Sequence, residues 1–327
     1  MQKDARAFRI TLLVVPALIA VGAVIYSIQQ HIPPRIAYPL AAALILEVAM
    51  YLVPGFSSGR ALVETLQPLP LRALIIQLSA LVPYLVYSLG TGTFHWRQFA
   101  LLAGLTTILS AWYAVQRPKH ILTDLLFLAV AGGVVLVKVF PQIYIDLAPK
   151  ATASILGQLM WIRLQFLAVL CVRGMSGVNL GFAPTAKDWS IGAQHYLMFA
   201  PTALAVGMWI RFAAPHAAPA TWWKWGVIIV SFAGYLWVVA MWEEFYFRAM
   251  LQSILSKQFG GRIAGLAVTS VIFGLAHLPF RQFPNWKLAL LAGIAGLFYG
   301  WAYIRAGSIR AAMVTHALVV ATWKAFF

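Results

Sequence analysis

Runs of apolar residues, each about as long as a lipid bilayer is thick, follow one another along almost the whole chain. A helix needs roughly 17–25 predominantly apolar residues to cross a membrane, and such runs can be drawn near residues 8–28, 36–53, 72–89, 99–115, 121–140, 151–172, 190–210, 226–247, 263–280, 288–304 and 308–326. The connections are short, built on Pro33-Pro34, Pro54-Gly55, Pro68-Leu69-Pro70 and Gly90-Thr91-Gly92, which interrupt helices without opening a polar linker. Composition agrees: 62% of the 327 residues are hydrophobic and 10% are charged, whereas about a quarter are charged in soluble domains. The expected fold is an all-α, polytopic transmembrane helical bundle of about eleven spans. The first run follows Lys3, Arg6 and Arg9, but it exceeds the apolar core of a signal peptide and no small-x-small cleavage site follows, so it reads as a retained helix.

A formal net charge of +16 invites a nucleic-acid reading. The basic residues nevertheless stand singly or in pairs in nearly every connection and form no single patch, so no nucleic-acid partner is expected. Membrane topology accounts for them better. With the N-terminus in the cytoplasm, alternate connections put Lys3, Arg6, Arg9, Arg60, Arg72, Arg117 and Lys119, among others, on the inside. The expected location is a bacterial inner membrane with a cytoplasmic N-terminus. The single cysteine, Cys171, excludes an internal disulfide framework and a cysteine-rich metal site. No internal repeat is visible, and residues 1–150 read as an accessory helical region ahead of a functional region at 151–327.

Acids are rare, eight in all, and two of them stand side by side at the end of an apolar run: Glu243 and Glu244. Carboxylates at membrane depth cost a few kcal/mol each even on lenient scales, so they need a reason. Arg248 is part of it. Positions four apart share a helix face, so Arg248 pairs with Glu244, while Glu243, about 100° away, faces elsewhere. One acid is then structural and the other is available for chemistry. The plainer reading makes 242–248 the interfacial end of a span.

The next run carries one ionisable group, His277, one turn after Phe273. With a connection at Lys257 to Arg262, Glu243 lies about 14 residues before it and His277 about 15 after it. Both are then roughly 21–23 Å from the turn. An acid and a histidine at matched depth on antiparallel neighbours can share one water molecule. His316 on the last run is a third such residue, but it lies only about one and a half turns past Arg310, so bringing it to the same depth takes a tilt or a deeply set loop. Ala292, Gly296 and Gly300 form a small-residue stripe that allows close helix packing.

With these residues the C-terminal part, from about residue 185, resembles the CPBP intramembrane proteases, which include the type II CAAX prenyl proteases and bacteriocin-processing proteins. Glu243-Glu244-Phe-Tyr-Phe-Arg248 matches a Glu-Glu-x-x-x-Arg motif and Phe273-Gly-Leu-Ala-His277 a Phe-x-x-x-His motif. Gly296, Gly300, Arg305, Gly307, Ser308 and His316 match a third. The resemblance implies an intramembrane endopeptidase in which Glu243 is the base, His277 orients the water and His316 donates to the oxyanion. Glu244, Arg248 and Phe273 would support that site, and the substrate would be a membrane-anchored or lipid-modified peptide presented among membrane lipids. One position departs from the pattern: Val320 stands where the family has Asn or Asp, four residues after the histidine. Trp323, two turns past His316, carries an indole N–H that can take over the missing donation, or serves as an interfacial anchor beside Lys324. No cofactor is expected, since a zincin places two histidines four apart on one helix, although a Glu and two His from three helices leave zinc open. Two other functions compete: a catalytically inactive scaffold, favoured by Val320, and a secondary transporter, disfavoured by the absence of paired motifs in the N-terminal half.

Overall fold

The computed structural model describes residues 2–116, 120–214 and 222–327; Arg117 and Lys119, counted above toward topology, lie outside them. All regular structure among the described residues is helical, and each of the apolar runs forms a helix. Seven helices are long and apolar enough to cross a membrane: Gln2–Gln29, Pro34–Gly55, Leu69–Thr91, Trp96–Val115, Ser154–Val172, Trp225–Gln258 and Trp286–Ala306. Two further apolar helices, Ile121–Leu136 and Arg262–Ala276, have 16 and 15 residues. At ~1.5 Å per residue they are about 22–24 Å long, short of a ~30 Å hydrocarbon layer. The remaining two, Ala186–Trp209 and Ile309–Phe326, are long enough, but Lys187, Asp188 and His195 in one and Arg310, His316 and Lys324 in the other lower their apolar content. The protein is an integral membrane helical bundle, and it divides into two compact units, Met1–Ser176 and Gly177–Phe327.

The first unit contains α1 (Gln2–Gln29), α2 (Pro34–Leu52), the short α3 (Ser57–Glu64), α4 (Leu69–Thr91), α5 (Trp96–Val115), α6 (Ile121–Leu136), the short α7 (Phe140–Ile143) and α8 (Ser154–Leu167). Helix α8 is its axis: it packs on α2, α4 and α5, and every residue from Leu159 to Leu170 is buried. Two ion pairs lie inside. Arg163 of α8 meets Glu47 of α2 through two hydrogen bonds, Nε to Oε1 at 2.8 Å and Nη2 to Oε2 at 3.0 Å, and its Nη1 donates to Ser79 Oγ on α4 at 2.8 Å. Arg173 Nη2 donates to Asp124 Oδ2 at 2.6 Å, and Tyr113 donates its hydroxyl to the same carboxylate at 2.9 Å. A bidentate fork suits a carboxylate in low dielectric because it satisfies both partners at once.

The second unit contains α9 (Ala186–Trp209), a long helix α10 over 222–258, α11 (Arg262–Ala276), α12 (Trp286–Ala306) and α13 (Ile309–Phe326). Helix α9 starts at a capping box: Thr185 Oγ accepts from the Asp188 amide, and the Asp188 carboxylate accepts from the Thr185 amide. Helix α13 packs against α9, α10 and α12. Helices α11 and α12 cross on glycine, since a Cβ at Gly274 would lie 2.6 Å from the Ala289 carbonyl oxygen and one at Gly296 would lie 3.2 Å from the Ser270 Cα. The small-residue stripe therefore does what its spacing predicts.

Candidate active site

Helix α10 brings the two acids into the second unit with an uneven winding. It is α-helical over Met241–Glu244 and π-helical over Tyr235–Ala240 and Phe245–Gln252. Single π turns inside α-helices recur where a side chain must be re-aimed, and here they flank the acids on both sides. Glu244 is fully buried, and its Oε2 accepts from Arg248 Nε at 2.9 Å, the pairing expected from their spacing. The Arg248 guanidinium lies over the Phe273 ring, 5.2 Å from its centroid, while both its Nη atoms have no hydrogen-bond partner among the described residues. An aromatic face is the remaining favourable surface for a cation held there.

The other oxygen of Glu244 has a partner the sequence did not indicate. His316 of α13 donates from Nδ1 to Glu244 Oε1 at 2.8 Å, and its Nε2 is 3.9 Å from Glu243 Oε2. The apparent depth mismatch of His316 is resolved by the turn before it. Gly307 takes the left-handed conformation, with φ 67°, Ser308 caps α13 by accepting from the Arg310 amide at 3.2 Å, and Ser308 and Ile309 are already buried. A helix that starts inside the protein carries its second turn to the level of the acids.

His277 does not sit within a span as the apolar run to Phe280 suggests. Helix α11 ends at Ala276 and His277 caps it; Pro279, two residues on, is the helix-stopping signal. Its Nδ1 donates to the Phe273 carbonyl oxygen at 2.7 Å. A carbonyl only accepts, so Nδ1 carries a proton, and in the neutral form of the ring the open lone pair is then at Nε2. Phe273 itself is the floor of the site, with its ring edge-on to Phe247, Tyr299 and His316 and tilted against His277.

Glu243, His277 and His316 line one cavity of about 370 Å³ among α9, α10, α11, α12 and α13, whose walls are otherwise mostly apolar. Glu243 Oε2 is buried there and has no hydrogen-bond partner among the described residues. Val320 and Trp323 also line the cavity; the Trp323 ring is stacked on Phe212 and on Phe327, with centroids 5.5 and 4.8 Å away. Tyr299, which the sequence reading passed over, is 2% exposed and lies parallel to the His316 ring at 4.6 Å. Its place beside Gly300 in an apolar helix carried no signal that it would meet a histidine of another helix. Among the described residues no group of three or more His, Cys, Asp or Glu is close enough to hold a metal ion.

This unit is of a recognisable class: a helical membrane protein with a carboxylate and two imidazoles lining one partly open, largely apolar cavity. Residues 221–322 match the family described as Rce1-like, the type II CAAX prenyl endopeptidases. The matched segment, about a third of the chain, contains all three motifs and supports the resemblance to the CPBP/CAAX proteases, a family of intramembrane proteases. Trp323 falls one residue beyond the match. No curated protein and no solved structure matches the chain.

Proposed function

We propose that the protein is an intramembrane endopeptidase in which Glu243 and His277 activate a water molecule and His316 stabilises the oxyanion. The observation that carries this reading is the unpartnered Glu243 carboxylate, which faces the same cavity as both imidazoles. Every other intramembrane acid described above is hydrogen-bonded to a cation, whereas Glu243 has only His316 Nε2 at 3.9 Å, beyond hydrogen-bond reach, so its oxygen is open to a partner that is not part of the protein. Water donates one proton to Glu243 and its other O–H to the open Nε2 of His277, and its oxygen attacks the peptide carbonyl carbon. The carbonyl oxygen takes the electron pair. Glu243 then delivers the proton to the amide nitrogen as the C–N bond breaks, leaving a carboxyl and an amine.

Charge explains why His316 suits the oxyanion. Glu243, Glu244 and Arg248 together carry one net negative charge, which a protonated His316 neutralises. The imidazolium has two N–H groups: Glu244 holds one, and the other, at Nε2, is directed to the Glu243 side, where it meets the oxyanion. A charge-assisted bond is stronger than a neutral one.

We further assign the chemistry to residues 151–327, with the motifs within 226–327, and an accessory role to 1–150. The substrate is a membrane-anchored or lipid-modified peptide, admitted among lipids into a cavity that a soluble polar segment would not enter. The site works without a metal, a reading supported by the scattered donors. The location is a bacterial inner membrane with the N-terminus in the cytoplasm. Val320 favours one alternative, a scaffold that has lost catalysis. Purified protein in lipid nanodiscs, incubated with an internally quenched farnesylated peptide, decides between them: cleavage abolished by Glu243→Gln supports the peptidase, and no cleavage by any form supports the scaffold. Activity lost on chelation and restored by stoichiometric zinc would overturn the metal-free mechanism.

A further inference from the structure

The oxyanion of a peptidase is ordinarily held by two donors, each worth about 10²- to 10³-fold in rate, and Val320 leaves this cavity one short beside His316. The other two hydroxyls in the lining, Tyr196 and Thr322, bond to one another at 2.8 Å, so each has a polar partner, although the accepting one keeps its own O–H. Tyr299 is the exception. It lines the cavity, and among the described residues no side chain or carbonyl accepts from its hydroxyl. Its ring is stacked on His316 with 4.6 Å between centroids and 16° between planes, and it is held in place edge-on by Phe199 and Phe273.

We propose that the Tyr299 hydroxyl is the second oxyanion donor, beside His316, in the role that Val320 cannot fill; this rests on the peptidase reading above. Two donors that share one oxygen at about 2.8–3.0 Å each are no more than about 6 Å apart. Rings stacked at 4.6 Å keep that limit when the hydroxyl and Nε2 point to the same side of the stack, the arrangement this proposal requires. The stack also serves the imidazolium, since a protonated His316 lies against an electron-rich face. When the tetrahedral intermediate forms, its oxygen accepts from His316 Nε2 and from the Tyr299 hydroxyl, and both protons stay on their donors. A phenol suits this better than a carboxamide in so apolar a wall, because only one polar atom is left to satisfy while the site is empty.

The test compares wild type, Tyr299→Phe and Tyr299→Phe/Val320→Asn, all full-length in lipid nanodiscs. Single-turnover cleavage of the quenched farnesylated peptide is measured across pH, together with binding of its phosphinyl analogue, in which a tetrahedral phosphinate replaces the scissile amide. Tyr299→Phe keeps the ring stack and the melting temperature. It is expected to lower kcat about 10²-fold at unchanged KM, to weaken the phosphinyl analogue by a similar factor, to leave the parent peptide's affinity unaltered, and to keep the shape of the pH profile. Adding Val320→Asn is expected to recover most of the loss. Wild-type rate and analogue affinity in Tyr299→Phe overturn the proposal and leave the peptidase reading standing. A moved pH profile with unchanged analogue affinity also overturns it, since the hydroxyl then serves Glu243. If wild type cleaves nothing and binds the analogue no better than the parent peptide, the peptidase reading falls and this proposal with it.

Discussion

Two buried charge clusters, one in each unit, are built from the same residue types and end in opposite states. In the first unit Glu47 and Arg163 are 0% and 1% exposed and bonded twice to each other, and the guanidinium's remaining reach goes to Ser79. In the second unit Glu244 and Arg248 are equally buried, but Glu244 is shared with His316, both Nη atoms of Arg248 rest on an aromatic ring instead of an acceptor, and Glu243 beside them has a free oxygen. Burial of charge is therefore common to both. What sets the second cluster apart is an unsatisfied acid that opens on a cavity, the condition under which a carboxylate can exchange a proton with something that arrives.

The sharpest way to break that comparison is to remove each acid's charge without changing its shape. Glu243→Gln is expected to lower cleavage by about 10³-fold, within the range for loss of a general base, with the melting temperature little changed because no hydrogen bond to the protein is lost and only the 3.9 Å contact with His316 is weakened. His277→Ala is expected to give a loss of the same order. Glu47→Gln is expected to leave the rate per folded molecule alone. Should Glu47→Gln reduce that rate as far as Glu243→Gln does, the first cluster is not the closed brace its geometry describes.

Next in size are effects on stability. Removing one partner from a buried pair typically costs about 3–5 kcal/mol, so Glu47→Gln and Glu244→Gln should both lower the melting temperature in detergent. They should part company on rescue. Replacing the whole pair by apolar residues is often neutral or favourable, so Glu47→Leu/Arg163→Met is expected to recover stability and keep activity. Glu244→Leu/Arg248→Met is expected to stay inactive even where it folds, because His316 has lost the carboxylate that orients its Nδ1. Full activity in that double variant would show that Glu244 only braces the fold.

The two clusters were unequally legible in the sequence. Glu244 and Arg248 are four residues apart, so helical periodicity alone pairs them. The partners of Glu47 and Glu244 lie 116 and 72 residues away, and no local pattern points to Arg163 or to His316. For the same reason the eleven helices were readable from apolar runs, whereas the π-helical winding of α10 was not, since a run of apolar residues fits either winding. The end of α11 was written in Pro279, but a hydropathy window to Phe280 runs over it. Tyr299 was invisible because a tyrosine in an apolar helix is unremarkable until its stacking partner is known.

A smaller effect concerns the wall that α13 contributes one turn past His316. Val320→Asn places a carboxamide on the cavity side of α13 and is expected to raise the cleavage rate by up to about 10-fold, less than a first donor supplies, because in the proposed site His316 and Tyr299 already donate. A stopped-flow comparison of the two proteins measures it. A lowered rate, with the fold intact, would mean that the added polar group is not reached by the oxyanion and only costs desolvation.

The smallest effect separates the wall from the chemistry altogether. Trp323 stands two turns past His316, about 10 Å further along the helix axis, and its ring is stacked on both Phe212 and Phe327. Its position is that of a packed aromatic in the cavity lining, away from His316 along the helix, and a phenylalanine there preserves most of the contact. Trp323→Phe is therefore expected to change the cleavage rate less than twofold and to lower the melting temperature slightly, by the lost area of the larger ring. The indole N–H is the one feature that phenylalanine removes from the chemistry. A drop of tenfold or more in single-turnover rate at unchanged KM would thus move the second donor from Tyr299 to Trp323, and the same measurement on Tyr299→Phe would then show no loss.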